Sequence, residues 1–370
     1  MPDARPTEDV RVQPPAARSG SGRRGFFFFC GLAGMAAPTG AWAAALFAIT
    51  PPPEPFPDSV RLLVAGPRGG QMDRWADAIG AALFQALPPG IRLHQTLAGG
   101  ADGVTAANQF EARVAPDGET VLLLPGKAPL AWLTGDPRAR FDAAGWLPVM
   151  TGLTSGVLAS RIPVGALRPG TRLRVAASEP AGPELAALLG LDLMGIEPVP
   201  ALGLHGADAA LKALQARQVD AVFIAGADVS AALAEAHGAG AVPLFTLGMP
   251  SAGCMRRDPL LPAIPTAPEL ATTLRGAPPA GPLAGAWRSA AAATQIEFAL
   301  VLPALTPAAL VSQWRRAGAV ASRALQGQAP GVHLLGAPEA NVATAAVAAG
   351  PAAMLALRHW LAARFNWQPS

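Results

Sequence analysis

Cysteine, lysine and tyrosine are nearly missing from this chain of 370 residues: it has two cysteines, two lysines and no tyrosine. Cys30 lies in an N-terminal apolar segment and Cys254 in the body, so no structural disulfide and no cysteine metal spacing is expected. Missing disulfides do not exclude export. The five histidines, His94, His205, His237, His333 and His359, are scattered, and no pair has the spacing of a helical metal site. There is no G-x-S-x-G nucleophile elbow, since Ser155 and Ser251 lack the pair of flanking glycines. There is no G-x-x-x-x-G-K-[ST] phosphate loop, and Pro67-Arg68-Gly69-Gly70 is not G-x-G-x-x-G. No catalytic residue, metal or cofactor is therefore assigned, and a non-enzyme is expected. Net charge is also scarce. The chain carries +3, and 23 basic against 22 acidic residues remain once residues 1–43 are set aside. With no Lys/Arg stripe interleaved with aromatics, nucleic acid is not an expected partner.

What the chain has in quantity is apolar residues (51%), 40 glycines and 39 prolines. A sizeable core and many turns follow, although the Ala, Gly, Pro and Arg richness has the look of base-composition bias. Residues 1–43 read as a signal peptide. Arg23-Arg24 precede four phenylalanines and an apolar run, and Ala41-Trp42-Ala43 is a small-x-small site. The paired arginines resemble a twin-arginine signal; a general secretion signal and a retained membrane anchor are the alternatives. Residues 44–57, with Pro51-Pro52-Pro53, read as a stiff linker.

The body is organised around the stretch 60–73. A short apolar run ends in Gly66-Pro67, two glycines follow, and an amphipathic helix begins near Asp73. A strand, a glycine turn and a helix start bring backbone N–H groups together beside the positive end of a helix dipole, a geometry suited to an anion. Strands are expected at 60–65, 91–96 and 120–124, and helices at 73–87 and 104–113. That order implies a largely parallel sheet. The apolar run 146–159 is long enough to cross to a second lobe. There, strands at 173–177, 197–201, 221–224 and 242–247 alternate with helices at 184–191, 207–217 and 230–237. A strand at 299–302, a helix at 307–325 and a mostly helical tail at 339–365 follow. Lobe I is expected over 58–152 plus 280–370, and lobe II over 153–279. Ligands in open α/β sheets bind at the carboxyl ends of the strands, and the 66–70 turn lies at such an end.

Three motifs occur in order: Pro67-Arg68-Gly69-Gly70-Gln71-Met72-Asp73, then Ala115-Pro116-Asp117-Gly118-Glu119-Thr120, then Leu261-Pro262-Ala263-Ile264-Pro265-Thr266. Phe141-Asp142, Trp146-Leu147-Pro148-Val149, Gln218-Val219-Asp220 and Thr306-Pro307 accompany them. Over 57–365 the chain thereby resembles the substrate-binding proteins of tripartite tricarboxylate transporters, the Bug type. The resemblance implies an α/β, two-lobed periplasmic binding protein of the type II or Venus-flytrap kind, with mostly parallel sheets flanked by helices. It implies a monomeric, periplasmic receptor that closes on a small carboxylate and delivers it to a membrane permease. Rival readings are a ligand sensor of the same fold acting on a signalling partner, and an α/β enzyme.

Carried over by position, the resemblance implies that Gly69, Gly70, Gln71 and Asp73 hold one carboxylate, with Thr105 at a second helix start. The 178–183 turn, with Ser178 and Gly182, would meet the distal end of the ligand. Bland roles stand beside these. Asp73 and Thr105 suit helix N-caps, and Ser178 suits a turn serine bonding its own backbone. Arg68 is either a solvated arginine or a cleft cation able to clasp a carboxylate. Trp132, Trp146 and Trp287 suit the core. The chain departs from the family pattern at Arg68, at Glu179, Pro180 and Pro183, and at Ile224-Ala225-Gly226.

Overall fold

The run 62–65 is buried throughout and forms the heart of the first strand, β1 (Ser59–Ala65). It belongs to a computed structural model that describes residues 55–367, all of them within one compact unit. The signal-peptide assignment and most of the linker lie outside the described residues. The chain continues through α1 (Gln71–Ala86), β2 (Arg92–Ala98), α2 (Val104–Arg113), β3 (Thr120–Leu124), α3 (Lys127–Thr134) and β4 (Leu147–Thr154). After the single residue Ser155 it enters a second sheet. That part comprises β5 (Gly156–Ser160), β6 (Arg172–Ala176), α4 (Leu185–Leu193), β7 (Glu197–Ala201), α5 (Gly206–Gln215), β8 (Ala221–Ala225), α6 (Val229–Gly238) and β9 (Val242–Thr246). A small hairpin, β10 (Met249–Ser251) and β11 (Cys254–Arg256), and α7 (Ala267–Arg275) lead to α8 (Gly281–Gln295). The chain then returns to the first sheet with β12 (Ile296–Leu302), α9 (Ala308–Leu325), β13 (Val332–Leu335), α10 (Ala337–Ala345) and α11 (Pro351–Phe365).

The six-stranded sheet has the order β13-β4-β12-β3-β1-β2 and the five-stranded sheet β7-β6-β8-β5-β9. These are two α/β lobes. In the first, β1, β2 and β3 are parallel, whereas β12 runs antiparallel between β3 and β4, and β13 antiparallel beside β4. In the second, β6, β7 and β8 are parallel, and β5 runs antiparallel between β8 and β9. The antiparallel strands adjoin the two passages between lobes, at Ser155 and at the α8–β12 junction.

Strand β1 has β3 on one side and β2 on the other. Right-handed crossovers in opposite directions put α1 and α2 on opposite faces. Accordingly Met72, Ile79 and Leu83 of α1 share a core with Val311 and Trp314 of α9. Phe110 of α2 and Leu130 and Leu133 of α3 join a second core that runs on through α8 into α4.

Two of the three sequence motifs are structural devices. In the second, Asp117 Oδ1 accepts from Glu119 N at 2.9 Å, and the Gly118 carbonyl accepts from Trp314 Nε1 at 2.9 Å, tying the turn to α9. The third ends in a capping box: Thr266 N donates to Glu269 Oε2 at 2.7 Å, and the Thr266 hydroxyl accepts from Glu269 N. Trp146 and Trp287 are buried and Trp132 packs partly buried against the same core. Among the described residues no helix is long and apolar enough to cross a membrane.

Candidate functional site

The carboxyl ends of the parallel strands in both lobes open into one cavity of about 710 Å³. From lobe I it is lined by the turn before α2 (Gly100, Asp102, Thr105) and by α3 with the loop after it (Lys127, Asp136, Arg138). From lobe II come the β6–α4 loop, residues 178–184, the start of α5 at His205 and Gly206, and Phe223 and Ala225 of β8. Trp367, just beyond α11, adds an indole. A hollow of about 500 Å³ around Phe141, Arg140 and Arg358 adjoins it at Asp136, with no residue of lobe II in its wall.

Of the residues named from sequence, Thr105, Ser178 and Gly182 line the cavity. Thr105 is exposed there as the second residue of α2, which is entered from Gly103. The capping acceptor is Asp102, whose Oδ1 receives Val104 N at 3.2 Å, so the N-cap role offered for Thr105 belongs to its neighbours. Gly182 allows a close approach: a Cβ there would lie 2.5 Å from Ser178 Oγ and 2.9 Å from Glu184 Oε2. Ser178 donates to Glu184 Oε2 through both its N–H (3.2 Å) and its hydroxyl (2.8 Å). The β6–α4 loop is thus closed on a carboxylate that the protein itself supplies.

Arg68, Gly69, Gly70, Gln71 and Asp73 are not among the residues lining this cavity. Their turn, on the α1 face of the sheet, is satisfied internally. Gly69 adopts a φ of +73°, and its N–H donates to Asp73 Oδ2 at 2.6 Å. Gly70 N donates to the Pro67 carbonyl at 3.1 Å, and Arg74 Nη1 to the Gly69 carbonyl at 2.9 Å. Helix α1 starts at Gln71 with Gly70 as its N-cap, so Asp73 sits in the first turn as the clamp on the loop. Glu297 of β12 accepts from Gln71 Nε2 and, at 3.1 Å, from Trp75 Nε1. Here too the carboxylate at the helix start is the chain's own. Arg68 is exposed.

Sequence reasoning passed over Lys127, Arg138, Asp102, Asp136, Glu184, His205 and Trp367 as cavity residues. Lys127 carried a signal, being one of two lysines and following a strand-Pro-Gly sequence. Arg138 is held by Asp136 at 2.6 Å and by Asp102 at 2.8 Å. The hydrogen bonds from that guanidinium hold the Asp136 carboxyl below its ordinary value, with burial opposing. Among the described residues no ion pair engages Lys127, which is exposed to the cavity. No group of three or more His, Cys, Asp and Glu able to hold a metal occurs among the described residues.

No family model matches the chain, and no curated protein matches its sequence. Solved structures match its shape. A TctC solute-binding protein from Polaromonas, determined without ligand, gives a TM-score of 0.57 at 18% identity, over 83% of this chain and 98% of that one. This chain has the fold of a TctC solute-binding protein. Two further structures are similar. One is a protein of R. palustris with adipate (19% identity, 84% and 98% covered, TM-score 0.48). The other is MatC from Rhodopseudomonas palustris with bound malate (22%, 83% and 96%, TM-score 0.42).

Within this TctC-type fold, the cleft carboxyl of Glu184 departs from its ordinary titration. Burial raises its pKa above the usual 4.5; the nearby Glu179 charge adds to this, and the hydrogen bonds from Ser178 oppose it. The folded chain therefore holds this proton more tightly than the unfolded chain. The resulting stability is fully present below 4.5 and is lost as pH rises through the raised folded value. A Glu184→Gln variant removes the buried charge and keeps an acceptor for Ser178. It is expected to be more stable than the parent at neutral pH by about 1 kcal/mol, and equal to it in acid. Urea unfolding across that pH range checks this; a variant less stable at neutral pH contradicts it.

Proposed function

We propose that this protein is an exported solute receptor that captures a small organic acid between its two lobes and hands it to the permease of a tripartite-type transporter. The observation that carries the reading is the cavity itself. It lies at the carboxyl ends of parallel strands from both lobes, the place where open α/β sheets take ligands. Its lobe I wall presents the ammonium of Lys127 beside the starts of α2 and α3, where helix dipoles favour negative charge. The solute-binding name of the Polaromonas structure supports the same reading. So does the leader pattern in residues 1–43, which fits export to the periplasm. The receptor acts as a monomer, with closure of the lobes as its response to ligand.

Thermal unfolding in the presence of a panel of mono-, di- and aromatic carboxylates tests this. At least one acid is expected to raise the unfolding temperature. Ligand at 100 times its Kd adds about 2.7 kcal/mol to the folded state. A flat response across the panel overturns the reading.

A further inference from the structure

The cleft carries more negative than positive side chains. Asp102, Asp136, Glu179 and Glu184 line it against Lys127 and Arg138. Most of these are engaged within the wall. Arg138 is ion-paired with Asp102 and Asp136, and Glu184 accepts twice from Ser178. Two charges are left over. Lys127 opens α3 on lobe I, and Glu179 lies in the β6–α4 loop on lobe II. Both side chains are exposed to the cavity, and among the described residues neither ammonium nor carboxylate has an ion pair or hydrogen bond. A charge that lines a cleft and lacks a partner in the fold is available to a ligand, and low-dielectric walls focus its field.

From this arrangement we infer that the ligand is zwitterionic: a small amino-carboxylate whose carboxylate meets Lys127 and whose ammonium meets Glu179. This rests on the solute-receptor reading and sharpens its ligand class. A dicarboxylate would satisfy Lys127 with one end and bring the other against Glu179, with Glu184, Asp102 and Asp136 also facing the space. Like charges placed together in this way discriminate against the wrong ligand more strongly than missing contacts do. An ammonium at the lobe II end meets the reverse situation. It also lies in a space shared with the rings of Phe223 and Trp367, whose faces attract cations. Because the two charges sit on different lobes, one zwitterion spans the cleft and favours its closure.

The experiment uses probes matched in length: glutarate against γ-aminobutyrate, and adipate against δ-aminovalerate. Each pair differs by exchange of a carboxylate for an ammonium. Isothermal titration of the mature protein is expected to show an amino acid binding more tightly than its dicarboxylate partner by about tenfold or more. Glu179→Gln is expected to erase or reverse that ratio by weakening the amino acid and strengthening the dicarboxylate. Lys127→Met is expected to weaken both members of a pair. Both side chains are exposed, so unfolding of the unliganded variants should match the parent. A dicarboxylate that binds at least as tightly as its amino partner, with a ratio unmoved by Glu179→Gln, overturns the zwitterion and leaves the receptor reading standing. Absence of binding by all four probes also overturns the zwitterion. The receptor reading falls with it when the broader carboxylate panel is flat as well.

Discussion

A Gly126→Ala variant is expected to unfold at much lower urea than the parent, having lost roughly 3 kcal/mol or more of stability. The effect is steric. Gly126 has φ −62° and ψ −14°, which any residue adopts, so backbone strain does not enter. A Cβ at this position would lie 2.0 Å from the Ala293 carbonyl oxygen and 2.7 Å from that of Ile296. Both obstacles are backbone atoms at the α8–β12 junction, and neither can rotate away. Gly126 N also donates to the Ile296 carbonyl at 3.1 Å, so the close approach is bonded as well as packed. This junction is where the chain re-enters lobe I, and the next residue, Lys127, faces the cleft. Relief of the clash would push the start of α3, and with it Lys127, out of place. Ligand affinity should therefore fall along with stability. Gly238→Ala is the control. It ends α6 without a positive φ and with nothing within 4 Å of an added Cβ, and it should be neutral or slightly stabilising. Equal midpoints for the two variants in equilibrium unfolding would rule out the steric account.

The contrast between Gly126 and the glycine turn at 66–70 shows what the sequence made legible. The parallel strands read clearly, because β1, β3 and β8 are short apolar runs bounded by turn residues. Their burial on both faces is what such runs imply. Helix α3 was not legible. It is eight residues long and contains Pro129, and it is fixed by Gly126 and by packing against α8 rather than by any periodic stripe. Helix α8 was equally hidden. Its run of alanines has no polar face, because its sides pack against α4, α3 and α11. Strand β13 and the β10–β11 hairpin are too short to carry a pattern.

The site divides in the same way. The family resemblance, carried over by position, pointed to Thr105, Ser178 and Gly182, which line the cavity. Local chemistry also pointed to the turn at Gly69 and Gly70, which is closed by Asp73 and neighboured by Glu297. The second of these partners is more than 200 residues away in sequence, and it arrives only because β12 is inserted beside β3. Trp367 likewise reaches the cleft only through the docking of α11 against α8. Acceptors and aromatic walls supplied from the far end of the chain are set by sheet order, which residue spacing does not reveal.

Trp287→Ala should have the other large effect, about 3–5 kcal/mol. The indole is 2% exposed in the middle of α8, and its Nε1 donates to the Ala186 carbonyl of α4 at 3.0 Å. Its partner surface on α4 is Gly190, where an added Cβ would meet the Trp287 nitrogen at 3.3 Å and the Phe245 ring at 3.2 Å. A ring pressed onto a glycine leaves nothing nearby to collapse into the space it vacates, which puts the loss at the upper end for a truncation. Helix α8 also packs against α3 and α11 of lobe I, so Trp287 joins the core of lobe II to the element that carries the chain back. Its removal should loosen lobe II before lobe I, separating the near-ultraviolet circular dichroism transition from the loss of helix signal. Trp287→Phe keeps most of the packed surface and forfeits the hydrogen bond to Ala186, a change of about 1 kcal/mol. If Trp287→Ala loses no more than Trp287→Phe, the hydrogen bond rather than the packed ring joins the lobes, and α8 would act as a hinge that slides on α4.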